Sequence, residues 1–177
     1  MSAPVRTRTV TWEDPQRLAE AAVTMSGPDF FAALAKGELP RPPVAELLDF
    51  TATSTGDGEA VFVMEPAEFH YNPLGTVHGG VLATVLDSAL GCAVQTKLPP
   101  GAGYTTLELK VNYVRPVTTA SGPLRCVGRV LHLGRRTATA EARIEDAAGR
   151  LCAHATTTCM VLEATPQPTA PATAAGS

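Results

Sequence analysis

The sequence predicts an α+β fold: a long buried central helix wrapped by a curved antiparallel sheet of about six strands, with extra helices at the N-terminus. Three observations predict it. Residues 79–96 (GGVLATVLDSALGCAVQT) read as a helix that is apolar almost all round, and such a helix has to be covered. Several flanking segments alternate apolar and polar residues with the period of a strand. The order is strand, strand, helix and then four strands joined by short turns, which suits one antiparallel sheet closing around that helix.

Each element has its own signal. Residues 1–13 show no pattern and are expected to be mobile. Residues 14–24 read as a helix, with Asp14 as a cap, Pro15 in the first turn, and Leu18, Ala21 and Ala22 along one side. Residues 28–36 read as a second short helix stopped by Gly37. Pro40, Pro42 and Pro43 then predict an extended link. Residues 44–54 and 58–65 are expected to be strands around a turn at Gly56, Asp57 and Gly58, and 66–78 an irregular loop. After the helix, residues 104–114 place Leu107, Leu109, Val111 and Tyr113 on one face, with Thr106, Glu108, Lys110 and Asn112 on the other. Residues 123–133, 137–145 and 150–162 are the remaining strands. Ala138, Ala140, Ala142 and Ile144 form the apolar face of one, and Leu151, Ala153, Ala155, Thr157, Cys159 and Val161 that of the next. The division expected is an N-terminal extension over 1–43, one compact domain over 44–163 and a disordered tail over 164–177.

Bulk properties exclude several classes. A chain of 177 residues, 45% hydrophobic and 18% charged, suits one globular domain. A net charge of −3 argues against a nucleic-acid surface. Trp12, Glu13, Asp14 and Arg17 stand where the apolar core of a secretory leader would lie, and no apolar run approaches the roughly 20 residues that span a bilayer. Cys92, Cys126, Cys152 and Cys159 form no CxxC pair and no zinc-spaced cluster. The expectation is a cytoplasmic protein with free thiols, no cofactor, no metal and no membrane association.

The most informative stretch is 70–91, HYNPLGTVHGGVLATVLDSALG. The run Asn72-Pro73-x-Gly75-x-x-His78-Gly79-Gly80, with Asp87 nine residues after the histidine, resembles the hotdog thioesterases of the phenylacetate-pathway (PaaI-like) group. Residues 107–116 (LELKVNYVRP) and 132–158 extend the resemblance, which covers about 58–162. It implies a hotdog fold, a homodimer or a homotetramer built as a dimer of dimers, and hydrolysis of an acyl- or aryl-CoA to a free acid and CoA. The matching acid of the family activates water or attacks the thioester itself. A hydratase or dehydratase of the same fold would need a catalytic histidine and acid set for proton abstraction. A non-catalytic acyl-CoA-binding regulator would usually carry a DNA-binding domain, and residues 1–45 hold too little basic charge for one.

The residues themselves support this reading. Gly79 and Gly80 stand where a loop enters a helix, whose first N–H groups lack intrahelical partners and carry partial positive charge. They suit an oxyanion site or, more simply, a tight turn. Asp87 lies among Val85, Leu86, Ala89 and Leu90, where a lone carboxylate is a functional candidate or is satisfied by backbone or Ser88. Gly80 and Asp87 share a helix face with Ala83, Thr84 and Gly91, small residues that leave room for an approaching group. Gly79 and Asp87 are eight residues apart, a helix rise of about 12 Å, so in one chain they cannot both touch one carbonyl. A site using both therefore combines two subunits. His78 reads as a base or as a residue that holds the loop. Asn72 reads as an Asx turn, and the resemblance adds a role in positioning water or the thioester. The resemblance implies that a hydroxyl at the start of strand 104–114 completes the site, and it favours Thr106 over Thr105 without settling which faces Asp87. Arg115, Arg135 and Arg136 are candidates for the CoA phosphates, with a solvated turn as the plain reading of the last two.

Overall fold

The computed structural model describes residues 4–162, so the expectation of a disordered tail over 164–177 lies outside the described residues. Helices α1 (Gln16–Thr24), α2 (Gly27–Ala35) and α3 (Pro43–Leu48) precede strands β1 (Phe50–Gly56) and β2 (Glu59–Met64). The long helix α4 (Gly79–Gln95) is followed by β3 (Gly103–Tyr113), β4 (Leu124–Leu133), β5 (Thr137–Glu145) and β6 (Leu151–Leu162). All neighbouring strands pair antiparallel, in the order β1-β2-β4-β5-β6-β3. The sheet curls around α4, which is the hotdog arrangement that the sequence predicts.

Close approach explains how the helix and sheet fit. A methyl group at Gly128 on β4 would stand 2.3 Å from the Ala89 carbonyl oxygen of α4, so only glycine lets the strand lie against the helix backbone. Beside it β5 offers Ala138, Ala140 and Ala142, whose small side chains keep the next strand near as well. Leu82, Val85, Leu86, Ala89, Leu90, Ala93 and Val94 of α4 are buried against this surface, together with Phe50, Phe62, Met64 and Ile144. Coverage is incomplete on one side: Ala83, Thr84, Asp87 and Ser88 are only half-buried. No helix among the described residues is long and apolar enough to cross a membrane.

Two N-terminal expectations differ from the structure. The proline-rich stretch does not stay extended: Pro43 opens α3, because proline at the first helical position has its φ preset and loses no helical hydrogen bond. The strand expected over 44–54 therefore begins only at Phe50, after Asp49 ends α3 with a left-handed φ of 53°. Residues 4–13 lack regular structure, yet they are held. Arg8 donates to the Leu47 and Glu46 carbonyls and stacks 3.9 Å from the Phe69 ring centroid, and Arg6 pairs with Glu68. These contacts bridge distant parts of the chain, where local pattern carries no signal.

His70 fixes the end of α3 to the loop before α4. It is 2% exposed. Its Nδ1 accepts from the Ala67 N–H at 3.0 Å, and its Nε2 donates to the Leu48 carbonyl at 2.9 Å. That pairing needs a neutral ring. Burial lowers its pKa below the usual 6.5, helped by Arg8 and opposed by the Leu48 bond and Asp49. In the unfolded chain the ring takes a proton as pH falls through 6.5, and in the fold it resists doing so. Stability contributed by His70 is therefore complete above that pH and lost below it. The urea midpoint is expected to drop between pH 7.5 and pH 5.5, and to drop less in His70→Gln. Parallel curves for the two proteins would remove His70 from this dependence.

Candidate active site

The loop ahead of α4 is organised by its own side chains. Asn72 Oδ1 accepts from the N–H groups of Leu74 and Thr76 at 2.9 and 3.3 Å, and its Nδ2 donates to Thr76 Oγ1 at 3.0 Å. The amide is engaged at both ends within its loop, so the plain Asx-turn reading describes its place here. His78 is the N-cap of α4, with Nδ1 accepting from the Gly80 N–H at 2.9 Å. This commits the Gly80 amide, which sequence reasoning placed with the substrate, to capping instead.

A second group, Tyr113, grips the same peptide from its other end. Its hydroxyl donates to the Gly79 carbonyl at 2.8 Å. The peptide between Gly79 and Gly80 is thus clamped by His78 at the N–H and by Tyr113 at the oxygen. Glycine at 79 leaves room for the clamp, since a Cβ there would stand 3.1 Å from the phenol ring and press it aside by a few tenths of an ångström. Among the described residues the Gly79 N–H donates to nothing, and it sits at the positive end of a helix of 17 residues.

Asp87 lies two turns farther along α4, half-buried. Neither backbone nor Ser88 satisfies it. Ser88 instead donates back to the Thr84 carbonyl and Thr84 to the Gly80 carbonyl, at 2.8 and 2.9 Å. The partner of Asp87 is Thr106, whose hydroxyl donates to Oδ1 at 3.0 Å. No bond to Oδ2 is formed among the described residues.

A bulge in β3 decides between the two threonines. Thr106 pairs with Cys159 and Glu108 with the adjacent Thr158, so Leu107 is an extra residue on β3. Leu107 is 56% exposed instead of facing the core. Before the bulge, Tyr104 and Thr106 face α4; after it, Leu109, Val111 and Tyr113 do. The single-face alternation that the sequence predicts for 104–114 is therefore broken at Leu107, and Thr105 is left exposed.

Tyr104 and Tyr113 were missed as site residues. Tyr104 shares the strand parity of Thr106, which is the signal that could have found it. Its ring covers Gly91, where a Cβ would stand 2.1 Å from the hydroxyl. Burial raises its pKa, as do the nearby Cys92, Asp87 and Cys159. The Cys92 thiol is pushed up to about 12 by burial and by the charge of Asp87, so it stays protonated and is no nucleophile at neutral pH.

The three candidate arginines are not brought together. Arg115 follows the end of β3 beside Tyr113, whereas Arg135 and Arg136 lie in the β4–β5 turn, where the Arg136 carbonyl accepts from Val161. Tyr113 pairs with Ala153 and Gly103 with Leu162, so the two sets sit at opposite ends of an eleven-residue strand. That strand is about 35 Å long, too far for both sets of one subunit to hold the same phosphate.

Comparison with known proteins agrees with this geometry. The thioesterase superfamily model matches residues 74–153. A phenylacetic acid degradation-related protein of Ralstonia eutropha is 31% identical, with a TM-score of 0.67 over 73% of this chain and 98% of its own. A hypothetical thioesterase protein of Streptococcus pneumoniae, solved with coenzyme A, is 27% identical, with a TM-score of 0.60 over 65% of this chain and 87% of its own. A provisionally named esterase of Halobacterium salinarum is 41% identical over 69 residues, which are 38% of this chain and 44% of that protein. The chain thus spans less than half of that relative. It belongs to the thioesterase superfamily.

The geometry separates the two threonines by experiment. Thr106→Val removes the hydrogen bond to Asp87 while keeping the side-chain shape. We expect kcat/KM on an acyl-CoA to fall about 10- to 100-fold, the range of a lost charge-assisted bond. Thr105→Val is expected to stay within about threefold, because this exposed side chain makes no such bond. Equal losses in the two variants would contradict the assignment.

Proposed function

We propose that this protein is an acyl-CoA thioesterase that joins Asp87 of one subunit to the Gly79 N–H of another. The observation that carries the reading is Asp87: a half-buried carboxylate in an apolar helix, held at one oxygen by Thr106 and bordering a cavity. Asp87 takes a proton from water as the water oxygen attacks the thioester carbon, or attacks that carbon itself. Charge then builds on the carbonyl oxygen, and an N–H at a helix start stabilises it. The carbon–sulfur bond breaks and the sulfur takes up a proton as the CoA thiol leaves. After attack by water this leaves the free acid directly; after attack by Asp87 it leaves an acyl–Asp87 anhydride that a water molecule hydrolyses to the acid and the free carboxylate. His78 and Tyr113 hold the peptide that orients the donor, and Asn72 shapes the loop that carries it.

A second subunit is part of the proposal. Asp87 and Gly79 stand two turns apart on one unbroken helix. Among the described residues β3 ends the sheet with a free edge flanked by exposed Leu107, Tyr113 and Val114, a surface suited to a two-fold partner, in a dimer or a dimer of dimers. Arg115, beside the Gly79 end, is the better placed of the candidate arginines for CoA phosphates at the donor side. The cytoplasm suits the four free thiols, of which Cys126, Cys152 and Cys159 are buried.

Asp87→Asn keeps the size and the Thr106 contact but cannot accept a proton at neutral pH. It is expected to fold with an unchanged melting temperature within a few degrees and to lose at least about 1,000-fold in kcat. Activity within a few-fold of the wild type would remove Asp87 from the mechanism.

Mixed oligomers test the cross-subunit arrangement. Gly79→Val is expected to displace Tyr113 and block the donor, giving an inactive protein. Co-refolded with Asp87→Asn, it makes mixed dimers in which one site carries both lesions and the other carries none. Random pairing then restores about a quarter of wild-type activity. Verified heterodimers without activity would show that the two residues do not share a site.

A further inference from the structure

The N-terminal helices build a chamber that the helix and sheet alone would leave open. α2 is seated on the C-terminal end of α4 without a gap. The Gly27 N–H donates to the Leu98 carbonyl at 3.3 Å, and a Cβ at Gly27 would stand 1.9 Å from the Gln95 carbonyl oxygen. Gln95 in turn donates to the Ala22 carbonyl at 3.4 Å. α3 is tied down by Arg41, which donates to the Phe50 carbonyl at 3.0 Å and pairs with Glu46 at 3.2 Å. Buried Phe31, Ala33 and Ala45 anchor the two helices below.

Between this roof, β1 and α4 lies a cavity of about 670 Å³. Its volume falls within the range of about 300–1,000 Å³ typical of sites that enclose a small organic molecule. Phe30 and Leu34 line it from α2, and Ala52 from β1. Asp87, Ser88 and Cys92 line it from α4. Ser88 bonds back to its own helix and the Cys92 thiol is neutral, so Asp87 is the ionisable group that α4 presents as charge to this space.

We infer that this chamber is the acyl pocket and that it takes a bulky apolar acyl group in preference to acetyl. The inference rests on the thioesterase reading above. The carboxylate proposed to act on the thioester carbon is itself a wall of the cavity, so a substrate with its carbonyl at Asp87 extends its acyl group under α2 and α3. Acyl carbon buried there leaves water, which is worth roughly fourfold in kcat/KM for each methylene that fits. An acetyl group reaches too short a distance to use the roof. On this reading the first 48 residues select the substrate, and the motif around α4 performs the reaction.

Free-thiol release from a straight-chain panel, acetyl- to dodecanoyl-CoA, tests this in the wild type, Ala52→Trp and Leu34→Ala. The wild type is expected to prefer octanoyl- to acetyl-CoA. Ala52→Trp fills the chamber and should lower the octanoyl-to-acetyl ratio of kcat/KM at least about tenfold. Leu34→Ala enlarges it and should move the optimum to longer chains, and it decides the matter if the tryptophan variant does not fold by circular dichroism. A wild type that prefers acetyl-CoA, or ratios unchanged in the folded variants, would overturn the chamber assignment while leaving the thioesterase reading in place. A wild type that hydrolyses no member of the panel would overturn both.

Discussion

The approach of β4 and β5 to the backbone of α4 sets the position of everything else. Gly128 lets one strand touch the Ala89 carbonyl, and the alanines of β5 keep the next strand close. Packing at this distance fixes the rotation of the helix, because Leu86, Ala89, Leu90 and Ala93 have no exposure left to trade. Once those residues face the sheet, Asp87 and Ser88 must face the other way. The Asp87 carboxylate is thus aimed by apolar contacts on the far side of its own helix.

Polar groups on the open side are arranged with similar economy. The hydroxyls of Thr84 and Ser88 are turned into the helix backbone, and Thr106 supplies one bond to Asp87. Among the described residues the result is a carboxylate oriented by a hydroxyl and paired with no cation. At the helix start, a histidine and a tyrosine hold one peptide rigid, so the neighbouring amide is set in direction before any ligand arrives. Preset dipoles of this kind are effective because no reorganisation is needed when charge develops.

The fold was largely legible because its strongest signals are periodic. The apolar run 79–96 and the alternation of 137–145 and 150–162 describe local geometry directly. The candidate site was legible where it coincided with that geometry, as for the placing of Asp87 and of the glycines at the helix start. It was obscured where contacts join distant residues. Nothing near Asp87 in sequence announces Thr106, and nothing near Gly79 announces Tyr113. The N-terminal prolines misled for a related reason: proline disfavours helix interiors but is welcome at the first turn, and Pro43 takes that position.

The bulge at Leu107 has a consequence for how β3 tolerates change. It works as a phase shifter between two half-strands that obey opposite parities. Substitutions within either half preserve the arrangement, but a one-residue insertion or deletion is absorbed differently on the two sides. Straightening the ladder with Leu107 retained would leave Leu109, Val111 and Tyr113 in place while Tyr104 and Thr106 rotated outward. The strand would pair better and the carboxylate would lose its partner. A small irregularity in hydrogen bonding is therefore the hinge on which the two ends of the site share one surface.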